Sequence, residues 1–129
     1  MARRAFLDTH VAVWIARGDA RLSKQILKDI NSHGETVISA ISLAELEMKA
    51  GIGKIAMPPN LGEVFESFGI KVEPFGLEAT QQLARFPSLA RHDPFDRLIL
   101  AQASARLGTT FFTADEAIAD LGLGWVRGC

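Results

Sequence analysis

The feature that most constrains this chain is its rhythm. Short apolar runs alternate with stretches of helical periodicity from one end to the other. Ala5-Phe6-Leu7, Thr36-Val37-Ile38, Ile70-Lys71-Val72 and residues 109–113 read as strands, with Trp125-Val126 as a fifth. Between them lie helices. Val11, Trp14 and Ile15 recur at i, i+3 and i+4; Ile26, Leu27 and Ile30 mark a second face, closed by Gly34 at a C′ position. Ser42 and Glu45 have capping-box spacing for a helix that ends near Gly51. Asn60 caps a helix over 60–68, and residues 77–86 form another that Pro87 stops. Asp93 followed by Pro94 is an N-cap with proline at N1, opening a helix that runs to Leu107 and ends at Gly108. Strands separated by helices pair in parallel through right-handed crossovers. The expected fold class is α/β: a three-layer α/β/α domain with a mostly parallel central sheet of four to five strands.

Composition narrows the function. The chain has 129 residues, so a single domain over 1–129 is expected, and 48% hydrophobic content is enough for one core. Fourteen basic against fifteen acidic residues leave a net charge of −1, which argues against an unassisted polyanion binder. No apolar stretch is long enough to span a membrane, and the run after Arg3 and Arg4 is interrupted by Asp8 and His10, unlike a secretory signal. The one cysteine, Cys129, excludes a disulfide framework and a cysteine-based zinc site within one chain, so a reducing, cytoplasmic setting is expected.

In parallel α/β sheets, sites lie beyond the carboxyl ends of the strands. Four acids fall there. Asp8 follows the first strand, Glu45 sits in the first turn after the second, Asp96 in the first turn of the Asp93-capped helix, and Asp115 after the fourth strand. Clustered carboxylates repel and raise one another's pKa unless a cation sits among them. Oxygen donors with few histidines suit Mg²⁺, with Mn²⁺ as a substitute. Such a site activates water and clamps a phosphodiester during in-line attack. Each acid also has a plainer role: Glu45 as the capping partner of Ser42, Asp96 as dipole compensation, Asp115 as a turn or cap residue. Asp8 has the weakest alternative, because a carboxylate ending a buried strand is costly unless paired or functional.

The segments Leu7-Asp8-Thr9-His10, Ser39 through Leu46, Gly53-Lys54-Ile55, His92-Asp93-Pro94-Phe95-Asp96-Arg97 with the apolar helix behind it, and Thr113-Ala114-Asp115 occur in that order. Together they resemble the PIN-domain family, specifically VapC-type toxins of type II toxin–antitoxin pairs. The resemblance covers nearly the whole chain. It implies a Mg²⁺-dependent endoribonuclease acting through metal-activated water. It assigns Asp8, Glu45, Asp96 and Asp115 to the acidic site, with Asp8 and Asp96 as principal metal ligands and Asp93 as an accessory. It also implies a VapB-type antitoxin, homodimers and toxin–antitoxin hetero-oligomers.

Other residues are weighed beside these. Thr113 is placed to hydrogen-bond a site carboxylate, and Arg97 to orient the acids. His10 and His92 adjoin the site but are read as packing or surface groups, and Trp14 as core. Arg3, Arg4, Arg17, Arg21, Arg85 and Arg91 are available as an RNA-binding rim. Ile52, Ile55 and Met57 are many apolar groups for one loop; they either pack on the core or line an antitoxin groove between the 42–50 and 60–68 helices. Two alternatives stand beside the toxin reading: a PIN-fold nuclease with a non-toxin role in RNA or DNA processing, and a regulatory nucleic-acid-binding module without catalysis. A phospho-acceptor domain is disfavoured, because the first strand ends Asp8-Thr9-His10 rather than in an acidic pair.

Overall fold

The computed structural model describes residues 3–129. Five strands form one sheet: β1 (Arg4–Leu7), β2 (Glu35–Ser39), β3 (Ile70–Glu73), β4 (Thr109–Thr113) and β5 (Val126–Gly128). Their order is β3-β2-β1-β4-β5, and every neighbouring pair is parallel. Both faces are buried, as a parallel sheet requires. The two-residue strand period divides each strand between two cores. Ala5, Leu7, Ile38 and Phe112 face one way; Phe6, Val37 and Phe111 face the other.

The first face is covered by α1 (Thr9–Arg17), α2 (Lys24–Asn31) and α4 (Leu61–Ser67), through Val11, Ala12, Ile30, Leu61 and Phe65. The second is covered chiefly by α6 (Pro94–Ser104) and α7 (Glu116–Ala119), through Ile99, Leu100, Ala103 and Ile118. Helix α3 (Ala40–Gly51) contributes Leu46 to the first core and lays Ile41 against the second; α5 (Leu77–Thr80) is a single turn. The chain leaves β1 toward β2 and β3, then returns across β1 to β4. Crossovers therefore diverge on either side of β1, and the crevice they leave at the carboxyl edge between β1 and β4 is where this architecture puts a site. Among the described residues no helix is long and apolar enough to cross a membrane.

Several expected boundaries move. Helix α3 is capped by Ser39, whose hydroxyl accepts from Ile41 N, not by Ser42; β2 runs straight into the helix, and Glu45 falls in its second turn. Helix α2 ends against Ser32, so Gly34 is not its C′ residue but leads into β2, its N–H donating to the Arg3 carbonyl. Asn60 precedes α4 with φ of 130° and makes no side-chain cap. The expected 77–86 helix is instead one α-turn followed by a 3₁₀ turn over Leu83–Arg85, because only Ala79 and Phe86 of this stretch are buried and little packing supports a longer helix. Helix α6 stops at Ser104, a turn before Gly108, which takes φ of 77° to swing the chain into β4.

Candidate active site

The site begins where β1 ends. Asp8 caps α1, its Oδ1 accepting from Val11 N at 2.9 Å. Its Oδ2 accepts from the Thr113 hydroxyl at 2.5 Å and from Ala114 N at 2.8 Å, tying the end of β1 to the end of β4. The buried Thr113 Oγ1 also accepts from Asp115 N at 3.0 Å. Asp115 caps α7 by accepting from Ala117 N and Ile118 N at Oδ1, which leaves Oδ2 facing His92 Nε2 at 2.7 Å. The same His92 nitrogen lies 3.4 Å from Asp96 Oδ2. Asp93 caps α6 by accepting from Phe95 N, and with Pro94 at N1 it starts the helix where Asp96 falls in the first turn. Asp8, Asp96 and Asp115 line one open cleft of about 300 Å³ with His10, Trp14 and Ala114.

Glu45 stands just behind this group and does not line the cleft. It is buried, accepts from the Thr9 hydroxyl at 2.7 Å, and pairs with Lys49 Nζ at 2.7 Å one helical turn on. Thr9 Oγ1 also lies 2.9 Å from Ser42 Oγ, so the residue expected to cap α3 instead holds α1 against α3.

The charges are unevenly compensated. Burial pushes the Asp8 carboxyl above its ordinary range, outweighing the hydrogen bonds from Thr113, Val11 and Ala114. Asp96 is pushed up to about 7, first by burial and then by the negative charges of Asp93, Asp115 and Glu45. Burial acts to raise Asp115 too, but the hydrogen bonds from His92 and the first turn of α7 hold it below its usual value. The hydrogen bond to Asp115 lifts the His92 imidazole above its ordinary range, and the charges of Asp96 and Asp93 add to the lift. The hydrogen bond to Glu45 likewise raises Lys49, which also feels Asp93 and Asp96.

This donor set fits a divalent cation. Ligand atoms of His92, Asp96 and Asp115 all fall within 4.8 Å of one another, and Asp8 borders the same cleft. Burial, and after it the negative charges of Asp93, Asp115 and Glu45, lift Asp96 to about 7, and a cation among the carboxylates would offset that lift. The oxygen-rich set suits Mg²⁺, and the adjacent imidazole is a donor that Mn²⁺ also accepts.

Some expected site residues lie elsewhere. Arg97 does not orient the acids; its guanidinium donates to the Ala90 carbonyl at 3.3 Å. Arg4 is no part of a basic rim, because it is buried and paired with Glu73. Ile52 is 71% exposed and borders none of the grooves described here, whereas Ile55 and Met57 pack partly against the first core. The apolar groove that Met57 lines runs along α1 and α4, with Val13, Ala16, Leu61, Val64 and Phe65, whereas Ile55 borders a separate groove with Leu46 and Lys49. Two groups went unselected in the sequence, His92 and Lys49. Each had a legible signal in its i, i+4 spacing from an acid, His92 to Asp96 and Glu45 to Lys49.

Comparison with known proteins gives one family and several structural relatives. The sequence profile described as PIN domain matches residues 5–123. No curated protein sequence matches the chain. Among solved structures, DNA-bound VapBC from Salmonella typhimurium aligns with a TM-score of 0.68 at 21% identity, covering 98% of each chain. VapBC2 from Rickettsia felis, bound to a DNA fragment from its promoter, aligns with a TM-score of 0.67 at 18% identity, covering 97% of this chain and 98% of the other. A toxin–antitoxin complex from Klebsiella pneumoniae aligns at 0.61 and 12% identity over 95% of each chain.

Proposed function

The chain belongs to the PIN domain family, and from that premise we propose that it is a divalent-cation-dependent endoribonuclease of the VapC type, the toxin of a type II toxin–antitoxin pair. One observation carries the reading: Asp8, Asp96 and Asp115 reach one cleft from three separate stretches of chain, with Asp96 pushed up to about 7, first by burial and then by the negative charges beside it. Acids gathered in one cleft and short of cationic partners are the arrangement in which functional sites hold perturbed groups.

In this reading the whole chain, residues 1–129, is one PIN domain. Asp8, Asp96 and Asp115 hold Mg²⁺ or Mn²⁺, and Glu45 acts from behind them. Bound there, the cation polarises the phosphate and lowers the pKa of water. The chain's own residues do the rest. Thr113 fixes the Asp8 carboxylate through its hydroxyl, and the Asp115 backbone N–H is anchored to that same hydroxyl oxygen. His92 holds Asp115 and Asp96 in register. Lys49 offsets Glu45, limiting the negative charge at the back of the site.

The structural relatives are toxin–antitoxin complexes by name, which supports a small VapB-type partner for this chain. The apolar groove along α1 and α4, with Met57 at its centre, suits one face of an amphipathic helix from that partner. Homodimers and hetero-oligomers with the antitoxin, in the cytoplasm, complete the reading. The test is cleavage of purified cellular RNA by the isolated protein with Mg²⁺, with Mn²⁺ and with EDTA, beside Asp8→Asn. Metal-dependent cleavage lost in the variant supports the assignment; equal cleavage by parent and variant overturns it.

A further inference from the structure

Trp14 sits where a core residue is expected, yet it is not in the core. Along α1, Val11 and Ala12 are buried, and Val13, Ile15 and Ala16 pack against the first core, but Trp14 joins neither core cluster. Trp125, by contrast, packs on the second core against Phe86. The half-buried Trp14 ring borders the acid cleft beside Asp8, Asp96 and Asp115. It also borders an adjoining groove lined by the cations Arg17, Arg21 and Lys49 and by the apolar Leu46, Ile55 and Met57. A large aromatic ring that joins neither core and borders a charged cleft is open to a role in binding.

Its surroundings say which. Asp8 caps α1 and Trp14 lies six residues on, about 9 Å along the helix axis at 1.5 Å per residue. The indole is thus within reach of the base of a nucleotide whose phosphate lies among the acids. The Arg21 guanidinium stands over the ring, 5.4 Å from its centroid, anchored by Asp19 through Nε at 3.2 Å and its terminal nitrogen at 2.8 Å. Arg21 borders the groove but not the acid cleft, so it backs the ring from the groove side. An aromatic ring flanked by two arginines and continuous with a phosphodiester-cleaving site is the composition of a single-strand platform: bases stack on the ring while cations follow the backbone. The apolar groove along α1 and α4 does not include Trp14; in the groove that Trp14 shares with Ile55 and Met57 the charged side chains, Arg17, Arg21 and Lys49, are all cations, which suits a polyanion better than the apolar face of a helix.

We propose that Trp14 is a base-stacking subsite for single-stranded RNA, taking the base beside the phosphate held at the acids, while the onward backbone runs along Arg17 and Arg21. Which phosphate is cleaved rests on the nuclease reading; the binding does not. The test uses a Trp125→Phe background, so that Trp14 is the sole indole, titrated with short labelled oligoadenylate and oligouridylate, with Ca²⁺ in place of Mg²⁺ to screen the acids. The expected result is quenching of Trp14 fluorescence, stronger with adenine, whose larger ring system stacks better. In the otherwise unaltered protein, Trp14→Leu lowers oligoadenylate affinity about tenfold or more and erases the preference for adenine, while Trp14→Phe restores most of both. In cleavage assays the Leu variant raises KM more than it lowers kcat. Unquenched Trp14 with bound oligonucleotide, unchanged affinities in Trp14→Leu, or quenching by an antitoxin peptide alone would each overturn the subsite. Quenching without any cleavage by the parent sinks the nuclease reading and leaves the subsite standing; cleavage with a silent Trp14 does the reverse.

Discussion

Two regions of the molecule bury carboxylates, and they treat them in opposite ways. On the α6 face of the sheet, Glu73 receives Arg4 through two hydrogen bonds of 2.6 and 3.2 Å, Arg106 at 3.1 Å and Gln102 Nε2 at 3.1 Å. Gln102 also reaches the Glu73 and Pro74 carbonyls and accepts from Ser39. Burial works to raise Glu73, but Arg4, Gln102 and Arg106 together hold it below its ordinary value. In the acid cleft, Asp8, Asp96, Asp115 and the nearby Glu45 share His92 and Lys49, and two of the four acids end above their ordinary values. The first carboxylate is matched by its own protein and the others are left short of cations, as the proposed metal site requires.

The contrast is sharpest in activity. Asp8→Asn or Asp96→Asn is expected to lower RNA cleavage by about a thousandfold or more, since each removes a charge that an electrostatic site depends on. The metal-free variants should unfold at the same temperature as the parent or higher, because one of several repelling acids is gone. Added Mg²⁺ should raise the unfolding temperature of the parent more than that of Asp96→Asn, by linkage. Equal Mg²⁺ shifts in both would remove Asp96 from the cation's ligands.

Arg4→Met probes the other region. It strips the buried partner from Glu73 and is expected to cost about 3 kcal/mol, a fall of roughly 10 °C in Tm. Cleavage by the folded fraction should be unaffected. A Tm unchanged in calorimetry would mean that Arg106 and Gln102 alone satisfy Glu73.

Thr113→Val lies between the two, being structural in contact and functional in placement. Loss of its bonds to Asp8 and Asp115 should cost about 1–2 kcal/mol and lower cleavage roughly tenfold. A Val variant with the parent's kcat would show that Asp8 holds its position without it.

The smallest effect is in pH. Glu73 has its folded pKa depressed, so its contribution to stability is present above its ordinary value of 4.5 and is lost as pH falls through the lower folded pKa. Unfolding curves of Glu73→Gln should therefore be flatter than those of the parent on the acid side of 4.5. Parallel acid limbs would show that Glu73 gains nothing from its arginines.

What the sequence discloses follows the same division. Strands of three to five residues and the Asp93-Pro94 start of α6 are local events, set by β-branching, capping and proline geometry, and they are legible. Asp8, Asp96 and Asp115 are legible because topology places β-to-α junctions at one edge. Capping chosen by tertiary contact is not legible: Ser42 has the right spacing from Glu45 to open α3 but is drawn to Thr9, leaving Ser39 to cap. The network around Glu73 was invisible, since Arg4 and Gln102 meet it only through sheet order and the packing of α6. Trp14 misled for a related reason. Helical spacing marks a face, but the register that puts Val11 and Ile15 inward leaves the intervening ring at the rim of the cleft.

The bond from Thr113 to Asp8 joins residues 105 positions apart. A chain under synthesis makes Asp8 105 residues before Thr113. Until β4 is available to dock beside β1, the crevice has only one wall and Asp8 lacks the hydroxyl that fixes it. The acid cleft therefore stays incomplete until β4 has been made. On the proposed toxin reading, the emergence of β4 sets the moment at which a partner must be at hand.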